Sequence, residues 1–259
     1  MRRTLSRSLP RIAFCIAAAT LASACMRSGS GDLSASAPPS AMSQDQWREQ
    51  ADRWGKRYDE APGERAASLN YARALRAIGQ RAQAVAVLEQ AAARAPNDLE
   101  VLGAYGRALA DAGKLREALG ILERSHLPER PDWRVLSAQG VVSDKLGEHE
   151  AAQGYYRSAL NLMPNEPSVL SNLGFSYALS RKLTEAESTL RQAAQNPRAD
   201  SRVRQNLVVV LGLEGKFDEA ETLARQDLSP EDAGQNVAYL KKLVSQTNNW
   251  AKIKQGLQR

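Results

Sequence analysis

The chain has very few of the residues that build metal centres, disulfide frameworks or large aromatic cores. Its 259 residues include only two cysteines, two histidines and three phenylalanines, and aromatic residues make up 5% of the total. The sequence also has no glycine-rich phosphate loop followed by a lysine, and it has no cluster of cysteine and histidine residues. These absences argue against a zinc protein, a nucleotide hydrolase or a disulfide-stabilised domain. We therefore expect no metal, no cofactor and no small-molecule substrate.

Two isolated features could still suggest catalysis. His126 and His149 lie near predicted turns, where we expect a solvated surface role rather than a ligand role. Residues 174–178 (GFSYA) partly match the nucleophile elbow, but the second glycine is missing. That elbow also needs a strand-to-helix turn, whereas this segment lies within a predicted helix. We predict no catalytic residue and no enzymatic activity.

Small residues recur every 34 residues through most of the chain. The alanine column is Ala84, Ala118, Ala152, Ala186 and Ala220. Five residues before each alanine stand Gly79, Gly113, Gly147, Arg181 and Gly215, and twelve before stand Ala72, Gly106, Gly140, Gly174 and Val208. A period of this length is typical of the tetratricopeptide repeat, a stacked pair of helices. The alanine column and the column twelve residues before it lie where the two helices approach closely, and the glycine column lies at the turn, where positive φ is often needed.

The periodicity predicts an all-α, right-handed superhelical solenoid of about five repeats plus N- and C-terminal capping helices. We assign the solenoid to residues 44–246. Its repeats are 65–98, 99–132, 133–166, 167–200 and 201–234. A helix over 44–60 would cap the N-terminal end and a helix over 235–245 the C-terminal end, leaving 247–259 as a tail. The last repeat matches the pattern less well. It has Ala224 where the other repeats have leucine or tyrosine, and Asp227 where they have alanine or serine.

The N-terminus has the features of an export signal. Residues 1–11 carry four arginines and no acid, residues 12–21 are uncharged and apolar, and small residues precede Cys25. We predict a lipoprotein signal peptide over 1–24, a lipidated Cys25 that anchors the chain to a membrane, and a flexible tether over 25–43. The alternative is ordinary signal peptidase cleavage, with Cys25 an unmodified thiol. Because removal of the four arginines would lower the net charge from +6 to +2, the charge gives no argument for nucleic-acid binding.

The first helix of each repeat is expected to line a concave face. Helical spacing places ten candidate partner-binding residues there: Asn70, Arg73, Arg76, Arg107, Arg134, Asn172, Phe175, Arg202, Gln205 and Asn206. The acids at such positions are Glu100, Asp111 and Asp144. This arginine-rich pattern favours a groove for an extended peptide of acidic or C-terminal carboxylate character. The alternative is that the face is simply polar and solvated.

The C-terminal third has a more specific resemblance, carried by short segments. These are NLGFSYALS (172–180), EAE (185–187), TLRQA (189–193), VRQNL (203–207), GKFDEAE (215–221) and NVAYL (236–240). Together with the signal peptide, the cysteine and the tether, they resemble the TadD family, the tetratricopeptide lipoproteins of tight-adherence (Flp-type) pilus systems. Only 203–207 and 236–240 add much beyond the general repeat pattern.

The resemblance implies a non-catalytic adaptor on the periplasmic face of the outer membrane. It implies a protein partner, a secretin or another pilus assembly component. A general periplasmic scaffold for outer-membrane protein or cell-wall assembly remains the alternative function, and a soluble periplasmic chain the alternative location.

Overall fold

The computed structural model describes the backbone of residues 42–256 and the side chains of residues 42–246. The predicted signal peptide, Cys25 and the tether up to residue 41 lie outside these residues. The described part contains twelve α-helices and no strand, which confirms the all-α prediction. The helices are α1 Gln44–Glu60, α2 Arg65–Ala77, α3 Arg81–Arg94, α4 Leu99–Asp111, α5 Leu115–Glu123, α6 Trp133–Lys145, α7 His149–Leu162, α8 Pro167–Leu179, α9 Leu183–Ala194, α10 Ser201–Leu213, α11 Phe217–Ala224 and α12 Pro230–Gly256.

Five helical hairpins form the body of the described chain. The first helices of these hairpins, α2, α4, α6, α8 and α10, begin at residues 65, 99, 133, 167 and 201. Each first helix packs on its own second helix and on the second helix of the preceding hairpin. Consecutive first helices also contact each other, whereas in the described part consecutive second helices do not. The first helices therefore line the inner, concave side of the stack, as the sequence predicted.

An acidic residue precedes every first helix. The column is Glu64, Asp98, Asp132, Glu166 and Asp200. Four of these carboxylates accept hydrogen bonds from backbone N–H groups of the first turn, as Asp98 does from Glu100 (3.0 Å) and Val101 (3.1 Å). A carboxylate at this position satisfies N–H groups that have no partner within the helix and interacts favourably with the helix dipole. The column precedes the start of every first helix, and in four of the five repeats its carboxylate caps that helix.

The turn inside each hairpin requires a left-handed residue. Gly79, Gly113, Gly147 and Gly215 adopt φ of +80° to +81° there. In the fourth repeat Arg181 takes the same conformation, with φ of +64°, although this region favours glycine. The predicted role of the glycine column is confirmed, and Arg181 shows that the repeat imposes this turn even on a residue with a side chain.

The core follows the columns of small residues. All five alanines of the alanine column have no exposed surface. A Cβ atom added to Gly106 would lie 2.6 Å from Cγ of Leu122, and one added to Gly140 would lie 2.5 Å from Cε1 of Tyr156. Atoms cannot approach so closely without displacement, so glycine is what allows the two helices of the hairpin to meet.

Substitution of Ala152 by leucine tests this pairing. Ala152 is fully buried beside Leu136, Tyr156, Val169 and Leu173, and three added carbons have no space there. We expect a loss of about 1–3 kcal/mol in the free energy of unfolding, measured by chemical denaturation.

The matched control is leucine at Ala151, the exposed neighbour on the same helix, which should leave stability nearly unchanged. An Ala152→Leu protein with the wild-type unfolding midpoint would show that the helix pairing is misassigned.

The two ends of the stack differ in how well the sequence predicted them. Helix α1 has the predicted bounds and begins with a capping box, in which Ser43 Oγ accepts from the N–H of Gln46 (3.2 Å) and Gln46 Oε1 from the N–H of Ser43 (2.7 Å). The closing helix was predicted over 235–245, but α12 begins at Pro230 and runs to Gly256. Ser229 explains the earlier start, because its Oγ accepts from the N–H of Asp232 (3.1 Å).

Asp144 forms a polar centre within the third repeat. Its carboxylate accepts hydrogen bonds from Tyr156 Oη (3.0 Å) and Ser176 Oγ (2.7 Å) and lies 2.9 Å from Nδ1 of His149. The Asp144 side chain is only 11% exposed. Two expectations are thereby corrected: Asp144 points into the interior rather than into the groove, and His149 packs against a carboxylate rather than standing free in solvent. The other histidine, His126, is also partly buried.

Candidate partner-binding surface

Hydrogen bonds between successive first helices mark the inner face. Asn172 Nδ2 donates to Ser137 Oγ (3.3 Å), and Asn206 Nδ2 donates to Ser171 Oγ (2.9 Å). Arg76 Nε donates to Asp111 across the same kind of gap (2.6 Å). Three predicted binding residues, Asn172, Asn206 and Arg76, thus join neighbouring repeats. Their side chains line the face and also hold its curvature.

Three arginines on this face make no ion pair with a described residue: Arg73, Arg107 and Arg134. Arg73 is exposed, and Arg134 lies over the ring of Trp133 at 4.5 Å, a cation–π contact. Arg107 is partly buried. Burial, and then the nearby positive charge of Arg76, lower the pKa of the Arg107 guanidinium from its ordinary value. An arginine side chain is effectively always protonated in proteins, so Arg107 stays charged at neutral pH.

Arg107 is the most unusual of the predicted residues. Removal of a charge from water costs free energy unless a partner of opposite charge compensates it. The acids whose charge acts on Arg107 are Asp132 and Glu100. Asp132 accepts from the backbone N–H of Arg134 (2.7 Å), Glu100 is paired with Arg65, and neither forms an ion pair or hydrogen bond with Arg107. Arg107 therefore offers a planar set of donors that no described residue of the chain satisfies, and a carboxylate would satisfy it best.

One row of residues runs along the middle of the inner face. It consists of the ninth residue of each repeat: Arg73, Arg107, Val141, Phe175 and Val209. The first two are basic, whereas the last three are apolar and partly buried. Along this row the inner face is basic in the first two repeats and apolar in the last three. A segment that binds along it meets two different chemistries.

The remaining predicted residues make local contacts. Asn70 Nδ2 donates to the carbonyl of Ala66 on its own helix (2.9 Å). Arg202 is exposed and lies 3.9 Å from Asp200, too far for a strong ion pair. Gln205 is exposed and makes no hydrogen bond to a described residue.

A cluster of four charged residues away from the inner face is paired within the chain. Glu187 accepts from Lys216 (2.6 Å) and Arg191 (2.7 Å), and Arg191 also donates to Glu219 (2.6 Å). The hydrogen bond from Lys216, with that from Arg191, lowers the pKa of Glu187 to about 2. This cluster links α9 to α11 and is satisfied within the chain, in contrast to Arg107.

A cavity at the C-terminal end was not predicted from the sequence. It has a volume of about 170 Å³ and lies between α10, α11 and α12. Its lining consists of Gln205, Val208, Val209, Ala224, Asp227, Leu228 and Asn236. The departures from the repeat pattern at Ala224 and Asp227 were the available sequence signal.

The described residues contain no group of three or more histidine, cysteine, aspartate or glutamate side chains placed to hold a metal ion. They also contain no helix long and apolar enough to cross a membrane.

Comparisons with known proteins define the class. Residues 79–140 match the sequence profile of the tetratricopeptide repeat, and the described chain has the fold of a tetratricopeptide-repeat superhelix. A search of curated protein sequences finds no significant match.

Several solved structures share this fold. TTC0263, a tetratricopeptide protein of Thermus thermophilus, has a TM-score of 0.57 and 21% identity over 64% of this chain and 91% of its own. PilF of Pseudomonas aeruginosa has a TM-score of 0.54 and 20% identity, with coverages of 71% and 89%. PilW, described as a widely conserved type IV pilus biogenesis factor, has a TM-score of 0.57 and 18% identity, with coverages of 70% and 83%. At these identities the likeness shows a shared fold.

Proposed function

We propose that the protein is a non-catalytic adaptor whose concave face binds an extended segment of a protein partner. The observation that carries this proposal is Arg107, a partly buried arginine on the inner face without an ion-pair partner among the described residues. Arg73 and Arg134 add two further unpaired charges on the same face. A carboxylate, either an acidic side chain or a chain terminus, complements this group through charge-assisted hydrogen bonds.

The setting that we propose is assembly of a Flp-type pilus at the bacterial outer membrane. Support comes from the resemblance of the C-terminal third to the TadD family and from the small residues that precede Cys25, as in a lipoprotein signal peptide. Two proteins that share the fold, PilF and PilW, carry pilus-related names. In this proposal Cys25 carries the lipid anchor, and the partner is a secretin or another pilus component. A general envelope scaffold would use the same surface for other partners.

Mass analysis of the membrane fraction tests the anchor and the setting together. We expect the wild-type chain to begin at Cys25, to carry a mass increase from several acyl chains and to co-purify with a secretin. The Cys25→Ser chain should lose the added mass and leave the membrane fraction, because two or more acyl chains are needed for stable anchoring.

An unmodified, soluble wild-type chain would refute the lipid anchor. Co-purification of cell-wall or outer-membrane assembly proteins instead of a secretin would favour the general scaffold.

A further inference from the structure

The two segments that carry most of the specific resemblance meet at one place in the structure. Gln205 belongs to the segment 203–207 on α10, and Asn236 belongs to the segment 236–240 on α12. Both side chains line the cavity of about 170 Å³ described above. About thirty residues separate them in the sequence, and only the fold brings them together.

The fifth repeat departs from the others at two residues that line this cavity, Val208 and Ala224. The twenty-fourth residue is a fully buried leucine in three repeats, Leu88, Leu122 and Leu190, and a buried tyrosine in the third, Tyr156. In the fifth repeat it is Ala224. The eighth residue changes in the opposite sense, since Val208 stands where the other repeats have alanine or glycine. A space remains beside both residues, lined by Val209 and Leu228 as well.

The cavity has apolar walls and a compensated charge. Its one ionised group is Asp227, which accepts two hydrogen bonds from Arg204, one of them 2.8 Å long at Nε and the other at Nη2. Such a bidentate pair neutralises the carboxylate locally. Val208, Val209, Ala224 and Leu228 supply the apolar surface. An apolar group can therefore enter without facing an uncompensated charge.

The rim of the cavity offers free hydrogen-bonding groups. Gln205 and Asn236 are both exposed, and neither side chain forms a hydrogen bond to a described residue. A primary amide donates and accepts at once, which matches the alternating N–H and C=O groups of a peptide backbone. Val209 is the ninth residue of its repeat and continues the apolar row of Val141 and Phe175. The cavity is thus continuous with the inner face.

We infer that this cavity is a side-chain pocket: it receives one apolar side chain, of leucine to phenylalanine size, from the partner segment on the concave face. Gln205 and Asn236 bind the backbone of that segment. The volume suits such a group, since an apolar cavity of about 150 Å³ is known to hold a benzene molecule. This inference rests on the proposed function and adds positions along the face to it. The carboxylate of the partner binds at Arg107, and its apolar side chain binds three repeats further along.

Blocked amino acids can test the pocket without knowledge of the partner. The probes are N-acetyl-leucine N-methylamide and N-acetyl-glycine N-methylamide, which share a backbone and differ in the side chain. Titration is followed by the amide NMR signals of the isotope-labelled protein. We expect the leucine probe to shift the signals of Val209, Ala224 and Leu228 and to bind at least about tenfold more tightly than the glycine probe. Equal binding of the two probes would overturn the inference.

Two variants give the matched comparison. Ala224→Leu adds three carbons to the lining of the pocket and reduces its volume, so the preference for the leucine probe should disappear. Ala238→Leu adds the same volume on the exposed side of α12 and should leave the preference unchanged. A leucine preference that survives in a folded Ala224→Leu protein would overturn the inference.

If Ala224→Leu does not fold, Asn236→Ala gives a second test at an exposed position. Loss of this amide should weaken both probes several-fold, and unchanged affinity would overturn the assignment. The pocket and the groove can fail separately. Leucine selectivity in a protein that captures no partner through Arg107 would refute only the proposed groove function, whereas partner capture without leucine selectivity would refute only the pocket.

Discussion

Replacement of Asp144 by alanine should cost about 2–5 kcal/mol of unfolding free energy, a large part of the stability of a typical domain. The Asp144 carboxylate joins α6, α7 and α8 through hydrogen bonds from Tyr156 and Ser176. Tyr156 is 1% exposed and Ser176 has no exposed surface. Without the carboxylate, both hydroxyl groups would be buried without a partner, and each such group costs about 1–3 kcal/mol. Equilibrium denaturation with urea measures the loss.

The Tyr156 hydroxyl donates to the Asp144 carboxylate in this arrangement. Burial, and then the Asp144 carboxylate, raise the pKa of Tyr156 far above its ordinary value, so the phenol remains protonated. Asp144→Asn keeps the size of the side chain and one acceptor oxygen. It should therefore cost less than the alanine substitution, since hydroxyl groups can rotate to accept from the amide.

Asp59→Ala is the surface control, because Asp59 is exposed and makes no ion pair with a described residue; we expect almost no change. A similar, small loss at positions 144 and 59 would show that the polar centre does not hold the three helices together.

The repeat architecture was predictable because each structural requirement is met by a single residue at a fixed position in the repeat. A fully buried Ala152, a turn at Gly147 or a close approach at Gly140 needs one residue type at one place. Such requirements recur with the repeat and leave columns in the sequence. The acidic column from Glu64 to Asp200 recurs in the same way. Its capping role follows from the hydrogen bonds that these carboxylates accept at the helix starts.

The polar centre and the pocket were not predictable in this way. Helical spacing places Asp144 on the concave face. In the structure its carboxylate points into the protein interior, where it accepts a hydrogen bond from Ser176 on the next first helix. The pocket depends on volumes contributed by three helices, and the sequence shows only that Ala224 is small. The ion pairs of the groove were also not predictable from the sequence. Helical spacing places both Arg76 and Arg107 on the inner face. Asp111 forms an ion pair with Arg76, whereas no described residue forms one with Arg107.

Because of that difference, the proposed binding of a partner depends most on Arg107. We expect the double charge reversal Arg107→Glu with Arg134→Glu to abolish capture of the partner in a pull-down, with little change in the unfolding midpoint. The physical reason is that a carboxylate of the partner would lose its two unpaired arginines and meet two negative charges instead. A fully desolvated charge pair broken in this way typically costs about 2–5 kcal/mol or more, which is a loss of about 30-fold to several thousand-fold in affinity.

The matched control reverses two arginines on the second helices, Arg81→Glu with Arg157→Glu. Both are exposed and neither makes an ion pair with a described residue, so the change in net charge is the same but lies away from the inner face. Capture should persist in this control and should weaken with added salt in the wild type, because exposed parts of the contact are screened. Equal loss in both double variants would mean that net charge, and not the inner face, attracts the partner. Capture that persists in the Arg107 variant would move the binding surface elsewhere on the stack.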